Sequence, residues 1–357
     1  MPAHRLSLID ALKALASQAI VLHHLCYYGP MSDVAMTLAP AIFQWMAEYG
    51  RLAVQIFLVI GGFLAARSIA PEGHLPNTRH PGRMMLQRYV RLVVPIPAII
   101  LCAVLAAAIA RRLMTHDSIP EPASLLQIGA HILLVQGLLD IDSLSAGIWY
   151  VAIDFQLYVL LLVALWIGHA RSTQRGERRR QPGALLTVFV AFGAVLYFNR
   201  QADLDHLSLY FFGSYALGAF AWWAAFPRHP RLQRLAVALV IVTIIALLID
   251  FRSRLALALV TALLLRYWGR TGRMVRWGRS PILAWLSEIS YAVFLLHFSV
   301  LLLVNAVFTH IAPHSPLVQL LGMLLAWGLS IVAGHLFHRY VELPVNRLAG
   351  RILSAAT

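Results

Sequence analysis

Apolar runs of about 17–25 residues recur along nearly the whole chain, and a helix of that length crosses the hydrocarbon core of a bilayer. This feature limits the possible folds more than any other. Of the 357 residues, 60% are hydrophobic and only 12% are charged. A soluble domain has about twice that share of charged residues. The sequence therefore predicts a multi-pass membrane protein.

The runs predict an all-α bundle of about ten transmembrane helices, which forms a single membrane domain over residues 1–357 with no appended soluble domain. A further apolar stretch at residues 124–139 predicts an interfacial or re-entrant helix on the outer side, because counting it as a span would move an arginine-rich loop outside. The predicted spans are residues 8–28, 50–70, 92–110, 147–168, 183–198, 207–226, 235–250, 254–268, 282–304 and 317–338.

The arginines lie mainly in alternate connections between these spans. Because basic loops stay in the cytoplasm, this distribution predicts that both termini are cytoplasmic and that residues 29–49 and 111–146 form outer loops. The same rule accounts for the formal net charge of +14, so we expect no nucleic acid among the partners. The two cysteines, Cys26 and Cys102, lie in apolar segments without a metal-ligand spacing, and no metal site is expected.

Polar residues in the first predicted span fall on one stripe of the helix. Lys13 and His24 lie three helical turns apart, about 16 Å along the axis, and point within about 20° of each other. Asp10 and Ser17 share this stripe, whereas His23 points about 100° away. Charged side chains are costly in lipid, so the stripe predicts a bundle interior or a wet cavity.

The residues alone leave the role of this stripe open. Asp10 and Lys13, spaced i and i+3, could simply neutralise each other. His24 could be a hydrogen-bonding contact between helices. A functional role is favoured by the adjacent histidines and by Lys13, the only lysine in an arginine-rich chain. Proton-coupled transporters also use Asp, Lys and His inside the membrane, and they are the alternative class.

Two other spans carry polar residues on one face. Tyr150, Asp154 and Tyr158 recur every four residues, so the carboxylate lies between two phenols. Ser290 and His297 are seven residues apart and also share a helix face. Spacing alone does not decide whether the Asp154 group serves catalysis or only forms structural hydrogen bonds. For Ser290 and His297, spacing alone favours a structural hydrogen bond.

The loop before the third predicted span contains Arg83, Arg88 and Arg91. Guanidinium groups bind phosphates as forked donors, so these arginines could hold a phosphorylated ligand. On the residues alone, the positive-inside rule is the favoured explanation of these arginines. In the second span, Gly61 and Gly62 predict the close approach of a neighbouring helix.

Taken together, these segments resemble the acyltransferase-3 family of multi-span bacterial acyltransferases. The family has an Arg, ten residues and a His in its first span, and the match here is Lys13 and His24. Its G-V-D-L-F-F-V-L-S-G-F-L motif matches residues 53–64, with Gln55 for the Asp and Gly61 for the Ser.

Four more motifs of the family follow in the same order, so the resemblance covers nearly the whole chain. Asp154 occupies the acidic position of the fourth-span motif. The matches are R-x-x-R at Arg88 and Arg91, L-W-[YSF]-L-[AS]-[VI]-[ED]-x-Q-x-Y at residues 148–158, I-S-Y-x-[IV]-[YF]-L-x-H at residues 289–297, and E-x-P at Glu342 and Pro344.

The resemblance implies a membrane O-acyltransferase of the bacterial inner membrane. Such enzymes move an acyl group, often acetyl, from cytoplasmic acyl-CoA to a hydroxyl of a glycan or lipid-linked acceptor at the cell envelope. The resemblance therefore implies acyl-CoA as a co-substrate rather than a permanently bound cofactor. The expected partners are the donor, the acceptor and the bilayer, and no motif predicts the oligomeric state.

The resemblance also implies roles for individual residues. His24 is expected to be the general base for the acceptor hydroxyl, or a transient acyl carrier, with Asp154 in the same catalytic set. Lys13 is expected to serve catalysis and to attract the acyl donor, and Arg88 and Arg91 to hold CoA phosphates. The residues expected to line the cavity are Asp10, Ser17, Tyr150, Tyr158, Ser290, Tyr291, His297 and Glu342.

Overall fold

The computed structural model describes residues 6–78, 80–175, 181–226, 229–275 and 279–355. These residues form helices and turns without a β-strand, which confirms the all-α prediction. The α-helices are α1 Ser7–Tyr27, α2 Pro30–Ala35, α3 Pro40–Tyr49, α4 Ala53–Ile69, α5 Pro81–Val93, α6 Ile96–Leu113, α7 Leu125–Ile132, α8 Ile148–Arg175, α9 Pro182–Leu196, α10 Ser208–Ala225, α11 Pro230–Ile249, α12 Ser253–Arg270, α13 Pro281–Ile311, α14 Pro316–Phe337 and α15 Leu343–Ala355.

Proline marks the start of many of these helices. It is the first residue of α2, α3, α5, α9, α11, α13 and α14. Proline suits this position because its missing N–H would have no partner there and its fixed φ is already helical. At α13 the preceding Ser280 also caps the helix, since its side chain accepts a hydrogen bond from the N–H of Leu283.

Each of the predicted spans corresponds to a helix, namely α1, α4, α6 and α8 to α14. Within the described part of the chain, seven helical segments are long and apolar enough to cross a membrane, as expected for a multi-pass membrane protein. Helices α1, α10 and α12 carry more polar, aromatic or charged side chains and do not reach that hydropathy. The total of ten spans and the cytoplasmic termini stay predictions. Arg178, Arg179 and Arg180, which contribute to the predicted orientation, lie outside the described residues.

The apolar stretch at residues 124–139 forms only the short helix α7, which is too short to cross a bilayer. The following loop is held by His131, whose Nδ1–H donates to the carbonyl oxygen of Gln127 at 2.7 Å. Its Nε2 accepts from the N–H of Leu144 at 3.1 Å. Burial lowers the pKa of His131, which favours the neutral imidazole that this pair of contacts requires.

The chain forms two compact units, each assembled from segments that are distant in sequence. The first unit comprises Met1–Ile9, Val54–Tyr89 and Ile153–Arg279. The second unit comprises Asp10–Ala53, Val90–Ala152 and Ser280–Thr357. The assignment of residues 1–357 to a single domain stays a prediction.

Helix α10 is the centre of the first unit, where it packs against α9, α11 and α12. Nearly all of its residues are buried, including Phe212, Phe220 and Trp223. Helix α4 approaches α10 so closely at Gly62 that a Cβ there would lie 1.8 Å from the carbonyl oxygen of Tyr215. This contact confirms the close packing predicted from the glycines of the second span.

Helix α13 is the centre of the second unit and packs against α6 and α14. The apolar core joins α1 to these helices through buried side chains such as Val21, Leu25, Phe298, Leu301 and Met323. Burial of these side chains holds the polar stripe of α1 beside α13, which positions the candidate site.

Candidate active site

His24 of α1 and His297 of α13 contact each other inside the second unit. Nδ1 of His24 lies 2.6 Å from Nε2 of His297, and the rings are nearly parallel with centroids 4.9 Å apart. His24 is 8% exposed and His297 is 1% exposed. Such a short distance between two ring nitrogens requires a proton between them, so one nitrogen donates and the other accepts.

The backbone of α13 determines which nitrogen accepts. Nδ1 of His297 lies 3.2 Å from the carbonyl oxygen of Val293, which can only accept, so this Nδ1 carries a proton. In neutral His297, Nε2 then accepts from Nδ1–H of His24. Nε2 of His24 is left with a lone pair, and none of the described residues hydrogen-bonds it. This tautomer lets His24 take a proton at Nε2.

Ser287 of α13 contacts the other end of the α1 stripe. Its hydroxyl donates to Oδ1 of Asp10 at 3.0 Å. Its carbonyl oxygen accepts from Nζ of Lys13 at 3.3 Å and from Oγ of Ser290 at 2.8 Å. The stripe predicted on α1 therefore faces α13 both at Asp10 and Lys13 and at His24.

Three other predicted residues make structural contacts in the second unit. Ser17 is fully buried, and its hydroxyl donates to a carbonyl oxygen of its own helix at 2.9 Å. The Tyr291 hydroxyl donates to the carbonyl oxygen of Leu92 at 3.1 Å. The ring of Tyr150 packs edge-on against Phe294, with centroids 5.4 Å apart.

Glu342 lies at the end of a π-helical turn, His338–Glu342, that follows α14. Its Oε2 accepts a hydrogen bond from Nδ1 of His338 at 2.8 Å. Nε2 of the same histidine lies 3.8 Å from Oε1 of Glu288. The motif glutamate thus engages His338, which the sequence did not single out.

In the first unit, Asp154 forms an ion pair with Arg88. The Arg88 guanidinium also lies over the ring of Tyr158, 5.5 Å from its centroid. The Asp154 side chain is 7% exposed and that of Arg88 is 29% exposed. The expected catalytic carboxylate therefore pairs with one of the two arginines expected to hold phosphates, whereas the other, Arg91, is exposed.

Tyr215 of α10 completes this cluster, and no sequence motif pointed to it. It is fully buried, and a Cβ on Gly61 would lie 3.1 Å from its ring and 3.2 Å from Oδ1 of Asp154. The preceding residue, Ser214, donates its hydroxyl to Oε1 of Gln55 at 2.7 Å. Consecutive residues of α10 therefore contact both positions at which the second-span motif departs from the family pattern.

The second unit contains a cavity of about 610 Å³ between the end of α1, α2 and α3. In the first unit, a cavity of about 240 Å³ is lined by the loop after α4, by α8 and by the start of α9. None of the residues expected to share a cavity with His24 lines either of these. A common cavity for those residues stays a prediction.

The chain is 23% identical to the protein named "Regulator of hypoxia-inducible factor 1" of Caenorhabditis elegans over 410 residues, which cover 97% of this chain and 81% of that relative. No solved structure matches the present chain significantly. The family model described as an acyltransferase domain matches residues 6–335, which include Lys13, His24, Asp154 and His297. Because this match spans nearly the whole described helical region, the chain belongs to the acyltransferase-3 family.

Proposed function

We propose that the protein is an O-acyltransferase of the bacterial inner membrane that uses cytoplasmic acyl-CoA, with acetyl as the expected acyl group. The acceptor is a hydroxyl of a glycan or lipid-linked molecule at the cell envelope. Family membership supports acyl transfer in general. The observation that carries the proposal is the buried contact of His24 with His297, which leaves one imidazole nitrogen available as a base.

In the proposed step, Nε2 of His24 removes the proton of the acceptor hydroxyl. At the same time, the oxygen of that hydroxyl attacks the thioester carbonyl carbon of acyl-CoA. The new C–O ester bond forms and the C–S bond breaks. The CoA thiolate then takes the proton from the His24 imidazolium, which restores the neutral base. His297 acts as a positioning residue, because it fixes the ring orientation and the tautomer of His24.

Lys13 is proposed to bind the acyl donor rather than the reacting atoms. It lies about 16 Å along α1 from His24, so both side chains cannot touch the same carbonyl group. Its ammonium group donates a hydrogen bond to the carbonyl oxygen of Ser287. From this position it is proposed to add positive charge beside the bound acyl-CoA. Lys13 thereby takes the role that the family's arginine has at this position.

Mass spectrometry of surface glycans and envelope lipids, with and without the gene, tests the proposal. The wild-type strain is expected to show molecules heavier by one acyl group, and complementation with His24→Gln is expected not to restore them. Identical spectra, together with proton or solute movement by the purified protein in liposomes, would instead identify a transporter.

A further inference from the structure

We propose that Ser145 and Gln136, in the loop between α7 and α8, bind the thioester carbonyl oxygen of acyl-CoA during acyl transfer. The inference rests on the proposed function, because it adds groups that stabilise the transition state of that reaction. His24 acts as the base, whereas the negative charge that develops on the carbonyl oxygen needs hydrogen-bond donors. Such donors often make the largest single contribution to catalysis.

Both side chains are buried without a hydrogen-bond partner. Ser145 is 1% exposed and Gln136 is 2% exposed. Among the described residues, none hydrogen-bonds the hydroxyl of Ser145 or either amide atom of Gln136. A buried polar group that stays unpaired costs about 1–3 kcal/mol. Ser145 and Gln136 are therefore candidates to bind a polar atom of a ligand.

Two hydrogen bonds bring the segments of Gln136 and Ser145 to the same end of α7. Nε2 of His131, in the last turn of α7, accepts from the N–H of Leu144 at 3.1 Å. The N–H of Val135 donates to a carbonyl oxygen of that same turn at 3.0 Å. Because Gln136 follows Val135 and Ser145 follows Leu144, both residues start from backbone that is fixed at this turn.

The backbone between these two residues is strained. Leu134 and Asp140 have φ angles of 57° and 53°, in the left-handed region that bulky side chains rarely adopt. The loop leaves the side chains of Leu138 and Leu139 exposed, whereas the polar side chain of Gln136 is buried. Strained backbone persists only where the surrounding structure imposes it, and it clusters at active sites.

The end of the loop adjoins the contact between His24 and His297. Gly147 lies so close to α13 that a Cβ there would collide with the carbonyl oxygen of Phe294. The Phe294 ring lies 6.1 Å from that of His297, centroid to centroid. Ala146 packs against the apolar core that holds α1 beside α13. Ser145 directly precedes these two contacts, which places it at the edge of the proposed acyl transfer centre.

The contact with Phe294 lies deep in the predicted bilayer. Helix α13 has 31 residues and is about 46 Å long, and Phe294 lies near its middle. Non-helical backbone at such a depth occurs only where it is buried in protein or lines a water-filled cavity. This location fits a loop that borders the place where acyl donor and acceptor meet.

The proposed donors change no bond of the reaction. As the acceptor oxygen forms the new C–O bond, the carbonyl oxygen gains negative charge, and it accepts hydrogen bonds from the Ser145 O–H and the Gln136 N–H. The C–S bond then breaks, and the CoA thiolate takes the proton from the His24 imidazolium. Because the charge is larger in the transition state than in the bound thioester, these donors raise kcat more than they lower KM.

A pair of acyl donors tests this assignment. Acetyl-CoA is compared with its dithioester analogue, in which C=S replaces C=O. Sulfur is a weak hydrogen-bond acceptor, so donors directed at this atom help the analogue less. Released CoA thiol is measured in inverted membrane vesicles of the gene-deletion strain carrying each variant, so that the native acceptor is present. The ratio of the two rates does not depend on the amount of folded protein.

Ser145→Ala should lower kcat for acetyl-CoA by about 100-fold or more, the usual loss when one such donor is removed, with KM nearly unchanged. For the dithioester the loss should be about tenfold smaller, because less hydrogen bonding is lost. Gln136→Met, which keeps a similar length without hydrogen-bonding groups, provides a second variant and should change the ratio of rates in the same direction.

Ser299→Ala is the matched control. Ser299 is also a buried serine of the second unit whose hydroxyl has no hydrogen-bond partner among the described residues. It follows His297 by two residues and therefore points about 160° away from it around α13. Its replacement should change neither kcat nor the ratio of the two rates.

Equal losses for both donors, as a packing defect would cause, would overturn the assignment of Ser145 and Gln136. Wild-type rates for both variants would do the same. Vesicles carrying the wild-type protein that never release CoA above the background of the deletion strain would contradict the proposed function itself. Wild-type activity with unaffected variants would contradict only the present inference, so the two failures are distinguishable.

Discussion

His24 donates its Nδ1–H to Nε2 of His297 across 2.6 Å, and this hydrogen bond joins α1 to α13. The carbonyl oxygen of Val293 holds the far side of the His297 ring. The His24 ring therefore has one favoured tautomer, with a lone pair on Nε2. A third group orients the catalytic histidine of Ser-His-Asp triads by the same principle.

Replacing His24 with Gln should lower the rate of acyl transfer by about 100-fold or more, because a positioned general base contributes about 10²–10⁴-fold. Glutamine keeps hydrogen-bonding capacity without the basicity of imidazole. The measurement is the transfer of radiolabelled acetyl from acetyl-CoA by purified protein. His23→Gln is the matched control, because the His23 ring faces Met46 instead and should have a much smaller effect. Transfer at the wild-type rate by His24→Gln would show that the base is another group.

Replacing His297 with Ala should lower kcat by about tenfold or more while leaving the KM for acyl-CoA nearly unchanged, because a misoriented base loses activity without weakening donor binding. His297→Gln retains an oxygen that can accept the Nδ1–H of His24, so it should recover part of kcat. Steady-state kinetics over a range of pH values distinguish these variants. Equal rates for the Ala and Gln variants would leave His297 with a packing role alone.

The ten long helices that match predicted spans could be predicted because a bilayer imposes a minimum apolar length. The central position of α10 could not be predicted from hydropathy. Its Tyr215 and Trp223 lower the mean hydropathy of the segment, yet they are fully buried within the first unit. Which helices surround another depends on contacts between segments that are distant in sequence, and periodicity does not encode those contacts.

The candidate site could likewise be predicted only in part from the sequence. The 3.6-residue period of α1 predicted the stripe containing Lys13 and His24, but it did not identify the partner helix. Ser287 lies three residues before Ser290, so the same helix-face argument could have found it. Tyr215 offered no comparable signal, because its contact with Gly61 depends on where α4 meets α10.

Gly62→Ala tests the close packing of α4 against α10. The added Cβ would lie 1.8 Å from the carbonyl oxygen of Tyr215, so α4 and α10 must separate. Such overpacking typically costs about 1–3 kcal/mol, and a backbone clash can cost more. We expect a lower thermal unfolding temperature in detergent and less monodisperse protein. Gly82→Ala is the control, because a Cβ there meets nothing within 4 Å. Equal unfolding temperatures for both variants would contradict the crossing.

Arg88→Ala should destabilise the protein by about 3 kcal/mol or more, because it leaves the buried Asp154 carboxylate without its cationic partner. The double variant Arg88→Ala with Asp154→Asn removes the uncompensated charge and should regain most of the lost stability. Thermal unfolding of the purified variants measures this difference. If the single and double variants unfold at the same temperature, the ion pair does not stabilise the first unit.

Arg91 allows donor binding to be tested without breaking the Arg88–Asp154 ion pair. Its side chain is exposed, so its replacement should leave the stability of the protein nearly unchanged. If its guanidinium holds a CoA phosphate, Arg91→Ala should weaken acyl-CoA binding about tenfold, since a charge-assisted hydrogen bond contributes about 1.5–3 kcal/mol. Titration calorimetry measures the affinity, and thermal unfolding verifies that the variant stays folded. Arg83→Ala is the matched control, because Arg83 is also exposed on α5 but lies outside the R-x-x-R motif. A loss of affinity shared by both variants would indicate a general effect of positive charge at the membrane surface. An unchanged affinity for Arg91→Ala would return this arginine to a topological role.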